Sequence, residues 1–194
     1  MASTQPELAA HHYTEANGPT QAIAYWLRAG TAAAKQSANV EAIDHYRRGL
    51  ALVEALSDMH ERAERELDLQ LALGPALHAT KSYSHPDLGR AYTRAWELCH
   101  QLGDHSREFT ALRGLQLYHL NRAEVEKSQH FAEEALRVAE RMDDAARLVG
   151  AHTTLGVGQF YQGKLETGLA HFRYGLEGFD PNMQFPDWPG SHPG

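Results

Sequence analysis

Residues 155–181 have the sequence LGVGQFYQGKLETGLAHFRYGLEGFDP, and the spacing within this stretch decides the fold. Small and large side chains recur there at helical intervals on either side of a turn at Gly163. Small residues are needed where two antiparallel helices touch, the ring of Phe172 fills the space beside them, and Pro181 closes the second helix. The residues that set this pattern are Leu155, Gly156, Gly163, Gly168, Phe172, Gly175, Leu176 and Pro181. The stretch therefore predicts a pair of antiparallel helices.

The spacing resembles one unit of the tetratricopeptide repeat, a helix–turn–helix motif of about 34 residues whose copies stack into arrays. Weaker copies of its small–aromatic–small pattern begin alternate helices. These copies are Ala22-Trp26-Ala29, Ala42-Tyr46-Gly49, Leu88-Tyr92-Ala95, Ser128-Ala132-Ala135 and Gly168-Phe172-Gly175. Their uneven intervals of about 20, 46, 40 and 40 residues indicate helices longer than those of a regular repeat. We therefore predict an all-α fold in which antiparallel helix pairs stack in a right-handed superhelix, an α-solenoid.

The apolar spacing is helical almost throughout the chain, and short turn signals separate the helices. Nine helices are expected, over residues 5–16, 20–36, 39–56, 60–80, 86–102, 106–120, 123–141, 144–162 and 165–178. The short connections between them favour antiparallel neighbours. We assign residues 1–181 to the helical array and residues 182–194, which are rich in proline and glycine, to an irregular tail.

The composition argues against several kinds of partner. The 194 residues include 18 basic and 25 acidic side chains, which give a net charge of −7 and no basic cluster of the kind that binds nucleic acid. No apolar run approaches the roughly 18 residues of a membrane span, and no charged-then-apolar leader is present. The single cysteine, Cys99, excludes an internal disulfide and suits a reducing compartment, and we expect it to be buried. These features predict a cytoplasmic chain with no nucleic-acid or membrane partner.

No motif in the sequence supports catalysis. Residues 158–164 match the first seven positions of a phosphate-binding loop, but Leu165 occupies the eighth, where Ser or Thr must hold Mg²⁺. The 13 histidines are scattered and include no His-Glu-x-x-His motif. Cys99 and His100 are neighbours in sequence, which is not evidence that a nucleophile meets a base in space. We therefore predict that this chain is not an enzyme and has no catalytic residue, metal site or cofactor.

Several further segments resemble one group of bacterial proteins. They are PELAAHHYTEA at 6–16, AIAYWLRAG at 22–30, SAN at 37–39, EAI at 41–43, RGLAL at 48–52, ELDLQLALG at 66–74 and FDP at 179–181. Over residues 5–181 the chain resembles the tetratricopeptide region of multidomain bacterial adenylate or guanylate cyclases and related signalling ATPases. The resemblance implies a class III cyclase domain, then a nucleotide-binding ATPase module, then this helical array. The chain would then be a fragment that lacks both catalytic modules.

The first helix of each pair lines a concave groove in tetratricopeptide arrays, so the register of the repeat gives candidate binding residues. We align Gly156 with the small position of the motif and count back from Ser128 for the preceding pair. In this register, seven residues face the concave groove: Arg113, Leu117, Asn121, Thr153, Val157, Phe160 and Tyr161. The Arg113 guanidinium can hold a carboxylate, and Tyr161 offers a large ring with a hydroxyl. The alternative is that both residues only cap and pack helices.

The predicted function is that of a non-catalytic interaction or regulatory module of a bacterial signalling protein. Its partner would be a protein or peptide, or a neighbouring domain of the same parent protein, bound in the concave groove. Self-association through the ends of the array is also compatible with the pattern. The alternative function is a helical domain that senses a small-molecule effector for a signalling ATPase or a transcription activator.

Overall fold

The structure of the protein is a computed structural model that describes residues 5–183. Across these residues the chain forms nine α-helices and no strand. The helices are α1 (Pro6–Glu15), α2 (Pro19–Lys35), α3 (Asn39–Leu52), α4 (Met59–Thr80), α5 (Pro86–Leu102), α6 (His105–Asn121), α7 (Val125–Met142), α8 (Ala145–Tyr161) and α9 (Leu165–Glu177). The all-α prediction is confirmed, and each of the nine predicted helices is present. The predicted tail at 182–194 lies almost entirely outside the described residues.

The end of α3 differs most from the prediction. The α-helix stops at Leu52, and one turn of 3-10 helix, Val53–Ala55, replaces the predicted continuation. Arg62 at the start of α4 donates hydrogen bonds to the backbone carbonyls of Glu54 and Leu56, at 2.8 and 2.7 Å. These bonds satisfy carbonyl groups that a helix end leaves without an internal partner. A contact from the next helix therefore supports the early end of α3.

Three aspartates begin helices, as the turn signals indicate. Asp58, Asp104 and Asp144 accept hydrogen bonds from the backbone N–H of Glu61, Arg107 and Arg147, at 2.8, 2.8 and 3.0 Å. Each carboxylate satisfies one of the N–H groups that the first turn of a helix leaves free. At the other end of α5, Gly103 adopts a left-handed conformation with φ of +70°, which glycine reaches without a steric penalty.

The helices divide into two compact units, Met1–Gly103 and Asp104–Gly194. In the first unit α2 packs on α3 and α4 packs on α5, with α1 against α2. In the second unit α6 packs on α7 and α8 packs on α9. The short turns within these pairs make the two helices of each pair antiparallel. The first helices of the four pairs are therefore α2, α4, α6 and α8.

Three of the four pairs contain the same contact between a glycine on the first helix and an aromatic ring on the second. The contacts are Gly30 with Tyr46 in α2–α3, Gly74 with Tyr92 in α4–α5, and Gly156 with Phe172 in α8–α9. A Cβ added to Gly74 would lie 2.5 Å from Cζ of Tyr92, and one added to Gly156 would lie 2.8 Å from Cε1 of Phe172. Carbon atoms do not approach so closely, so glycine is what allows these helices to pack around the rings.

In the pair α6–α7 the large side chain lies on the first helix and the small residue on the second. Gln116 stands on the first helix and Ala132 on the second, with the same spacing that separates residues 30 and 46 or residues 156 and 172. Both side chains are buried. Gln116 Nε2 donates to Ser128 Oγ at 3.2 Å, and Ser128 Oγ donates to the Gln116 carbonyl at 3.1 Å. A large polar side chain on the first helix therefore takes the place of the ring on the second.

Candidate interaction site

The candidate residues on α8 lie along one face of that helix, because their spacing corresponds to successive helical turns. They are Thr153, Val157, Phe160 and Tyr161. The core covers α8 through Ala151 and Leu155, and α9 covers it at Gly156 and approaches Thr153 through Gly175. Phe160 is 59% exposed and Tyr161 is 67% exposed, with their ring centroids 5.9 Å apart and edge to face. The helix therefore presents two adjacent, largely uncovered rings.

The candidate residues on α6 differ in their exposure. Asn121 is exposed and Leu117 is half-buried, whereas Arg113 is buried. The guanidinium carbon of Arg113 lies 6.0 Å from the centre of the Phe109 ring, and that of Arg147 lies 5.8 Å from the same ring. Arg113 thus packs against an interior aromatic side chain, a cation–π contact. Its position matches the helix-packing alternative more closely than a role on an open surface.

The polar candidates use hydrogen-bonding groups within their own helices. Asn121 Nδ2 donates to the Leu117 carbonyl at 2.8 Å, and Thr153 Oγ1 donates to the Val149 carbonyl at 2.8 Å. Within residues 5–183, neither Leu117 nor Asn121 forms a hydrogen bond or ring contact with the candidates on α8. The open part of the predicted site on α8 is therefore apolar and aromatic. We call it the α8 face and define it by Val157, Phe160 and Tyr161.

A pocket beside Phe160 is a feature that the sequence analysis does not predict. It has a volume of about 240 Å³ and is lined by Phe160, Leu165, Gly168, Leu169 and Phe172. One wall is α9, where apolar residues occur at 165, 169, 172 and 176. This spacing of four, three and four residues is the signal of a single apolar helix face, and it could have revealed the pocket.

Comparisons with known proteins bear on the fold. No protein-family model and no curated protein matches the chain. The apo form of RapI matches 89% of this chain with a TM-score of 0.77 and 13% sequence identity, over 46% of its own length. PH0952 from Pyrococcus horikoshii, a signal transduction ATPase with numerous domains and a tetratricopeptide repeat sensor, matches 83% of this chain with a TM-score of 0.71 and 15% identity. MamA matches 87% of this chain and 93% of its own, with a TM-score of 0.60 and 15% identity.

The chain has a tetratricopeptide-like helical-repeat fold. At these low identities the likeness establishes the fold alone, and it confirms the predicted repeat architecture. The chain spans 46% of RapI and 24% of the Pyrococcus protein, so both of those chains are much longer than the matched part. The cyclase context suggested by the sequence resemblance stays a prediction.

Residues 158–164 form the end of α8 and the turn into α9. The helix runs to Tyr161, Gly163 adopts a left-handed φ of +74°, and the Lys164 N–H donates to the Gln159 carbonyl at 3.0 Å. A phosphate-binding loop instead follows a strand and points free N–H groups at its ligand. The match to such a loop is therefore a coincidence of helix and turn residues.

Two histidines that the sequence places singly on helices meet in the structure. The Nδ1 atoms of His152 on α8 and His171 on α9 lie 2.8 Å apart, so one ring donates this hydrogen bond and the other accepts it. Burial lowers the pKa of both rings, and the nearby His171 lowers the pKa of His152 further. The impression that the histidines are scattered is therefore wrong for this pair. Across residues 5–183, no three His, Cys, Asp or Glu side chains group so that they could hold a metal ion.

Two simpler predictions concern a membrane span and the cysteine. Among the described residues, every helix is too short or too polar to cross a membrane. Cys99 is buried on α5, as predicted. Its burial fits the role of a small apolar core residue.

Proposed function

We propose that the chain is a non-catalytic interaction module that binds a peptide or a neighbouring domain on the α8 face. The observation that carries this proposal is the exposed pair of rings, Phe160 and Tyr161. Contiguous exposed apolar surface on a folded domain marks a binding site more often than scattered single residues do. Tyrosine is also among the residues that contribute most binding energy at interfaces. In repeat proteins the stacked units create the extended surfaces that bind partners.

The chemistry of the α8 face defines the partner that we propose. Arg113 is buried, and the Asn121 amide and the Thr153 hydroxyl bond to their own helices, so few groups are available for a carboxylate. A segment with one or two apolar or aromatic side chains would pack on the rings and on Val157. The Tyr161 hydroxyl would reach a backbone group of that segment. A net charge of −7 makes a strongly acidic partner unfavourable.

The finer part of the proposal is that the chain belongs to a longer, cytoplasmic bacterial signalling protein with cyclase or ATPase domains. The sequence resemblance supports it, as does the fold shared with a signal transduction ATPase that has a tetratricopeptide repeat sensor. A partner would regulate such an enzyme only if it binds the active and inactive states with different affinities. The test compares cyclase or ATPase rates of the parent protein with and without residues 1–181. Unchanged rates would contradict regulation and leave the binding proposal standing.

A second candidate function, sensing of a small molecule, draws on the pocket beside Phe160. Its volume of about 240 Å³ is below the roughly 300–1,000 Å³ of most ligand sites, so it suits only a small apolar compound. A thermal-shift screen of metabolites tests this function, because a ligand at about 100 times its Kd stabilises the fold by about 2.7 kcal/mol. A Leu169→Trp variant, whose larger side chain fills the pocket, should lose that stabilisation.

Selection of peptides from a random library on the purified chain tests the interaction itself. Calorimetry then compares the selected peptides on variants. We expect Tyr161→Ala to weaken binding by about tenfold or more, which corresponds to about 1.4 kcal/mol. Val40→Ala is the matched control, because Val40 is 69% exposed but lies on α3 in the first unit. Peptides that bind both variants as tightly as the wild type would contradict a site on the α8 face.

A further inference from the structure

An apolar stripe runs along the whole of α9 and is left open by the described residues. It consists of Leu165, Leu169, Phe172 and Leu176, and we call it the α9 stripe. Leu165 is 61% exposed, Leu169 is 49% exposed and Leu176 is 74% exposed. The helix packs on α8 through the adjoining side, where Gly168 and Gly175 lie against α8 and the Phe172 ring lies against Gly156, so Phe172 contributes only the outer part of its ring to the stripe. Within residues 5–183, the three leucines of the stripe are therefore open to another helix.

Two charges of opposite sign flank the α9 stripe along one edge. Glu166 and Arg173 are both exposed, and neither forms an ion pair within residues 5–183. They are seven residues apart, so they lie on the same side of the helix about two turns from each other. A partner that fits this edge must present the same two charges in the opposite order. A second α9, laid antiparallel, does so.

We propose that the α9 stripe is the interface of a homodimer in which α9 of one copy packs antiparallel on α9 of the other. A two-fold axis between Leu169 and Phe172 brings Leu165 against the partner's Leu176 and Leu169 against the partner's Phe172. In the same register Glu166 faces the partner's Arg173, and symmetry repeats the pair. A parallel arrangement would instead place these charged edges on opposite sides of the interface, where Glu166 and the partner's Arg173 could not pair.

A stable dimer requires more buried surface than α9 alone provides. Stable interfaces bury about 800 Å² on each partner, and a 13-residue helix is only about 20 Å long. Phe160 lies beside the stripe, so α8 joins α9 in the contact and the two copies form an antiparallel four-helix bundle. The pocket of about 240 Å³ then receives the partner's Leu176. Phe160 belongs to both surfaces, whereas Val157 and Tyr161 lie farther around α8 and stay open, so a peptide bound to the dimer contacts those two residues and not Phe160.

Sedimentation velocity over a concentration series of the full chain tests the dimer. The 21.6 kDa chain should show a reversible monomer–dimer equilibrium. Leu169→Asp should abolish it, whereas Leu8→Asp, at a residue that is 63% exposed on α1, should leave it unchanged. Glu166→Arg and Arg173→Glu should each weaken the dimer by about tenfold, because each sets like charges together at both symmetric positions.

The charge variants also test the register. An equimolar mixture of Glu166→Arg and Arg173→Glu chains should form a heterodimer with the wild-type affinity, because opposite charges then face each other again. The double variant should dimerise with itself for the same reason. A chain that stays monomeric at every soluble concentration would overturn the proposal. A dimer whose dissociation constant is unchanged by all three substitutions on α9 would overturn it as well. Dimers of residues 1–183, when the full chain is monomeric, would show that residues 184–194 cover the stripe and would overturn it too. Far-UV circular dichroism checks that each variant is folded.

Discussion

Gly30 on α2 lies so close to the ring of Tyr46 on α3 that the ring occupies the space of a Cβ. Tyr46 is buried, so its ring has no open space into which it can rotate. We therefore expect Gly30→Ala to lower the free energy of unfolding by about 1–3 kcal/mol, the usual cost of overpacking a core. The loss should appear although alanine gains up to about 1 kcal/mol over glycine in helix propensity. Urea unfolding followed by circular dichroism measures it.

The control for this substitution is Gly158→Ala on α8. A Cβ on Gly158 meets no atom within 4 Å outside its own helix. The substitution then changes only the helix propensity, which is higher for alanine than for glycine. The variant should therefore be more stable by about 0.5–1 kcal/mol. Similar effects of the two substitutions would show that the glycine–ring contact does not hold the pair α2–α3.

The reversed pair α6–α7 makes a prediction about Gln116. Its side-chain carbonyl oxygen is buried without a hydrogen-bond partner, although its amide donates to Ser128. Gln116→Met keeps the length of the side chain and removes this oxygen, so the free energy of unfolding should rise by about 1 kcal/mol. Gln116→Ala leaves a cavity and should lower it by about 2–4 kcal/mol. Chemical denaturation measures the free energy of unfolding of the wild type and the two variants. A methionine variant less stable than the wild type would contradict the assignment of an unpaired, destabilising oxygen to Gln116.

The partial burial of His152 and His171 makes the stability of the second unit depend on pH. Burial lowers the pKa of both imidazoles below the ordinary 6.5, so the unfolded chain takes up protons before the folded chain does. Their contribution to stability is therefore complete above about pH 6.5 and is lost as the pH falls toward the lowered pKa values. Glu140 on α7 opposes this loss in part, because its charge favours protonated His152.

The measurement is the free energy of unfolding at a series of pH values from about 7.5 to about 5. His171→Asn keeps a hydrogen-bonding side chain that does not titrate, so its stability should fall less steeply with acidification than that of the wild type. His130→Asn is the control, because His130 is an exposed residue on α7. Parallel curves for all three chains would show that the pair does not control the acid sensitivity.

The sequence was sufficient for the features that depend on nearby residues. Helix positions follow from apolar spacing and from caps such as Asp104 and Asp144, which act within a few residues. The contact of Gly156 with Phe172 could also be predicted, because both residues flank one short turn. The residues of the helix-packing motif lie close together in sequence, so the motif can be recognised there and predicts the fold class.

Features that depend on two distant helices were beyond the sequence. Arg113 was a groove candidate by register, but its burial results from the position of its guanidinium over Phe109, a ring that Arg147 from α8 also approaches. His152 and His171 are separated by 19 residues and meet only because α8 and α9 run antiparallel about Gly163. The register could not give the exposure of each side chain: of its candidates on α8, Phe160 and Tyr161 are exposed, whereas Thr153 and Val157 are half-buried.

The central claim is that the α8 face binds a partner, and site-specific photo-crosslinking tests it most directly. A photoreactive phenylalanine analogue is placed at position 161, or at position 40 as the control, and the chain is irradiated in cells of its source organism. We predict one crosslinked product from position 161, absent from position 40 and lost when Val157→Asp is added. Equal crosslinking from both positions, or none from position 161, would contradict the claim.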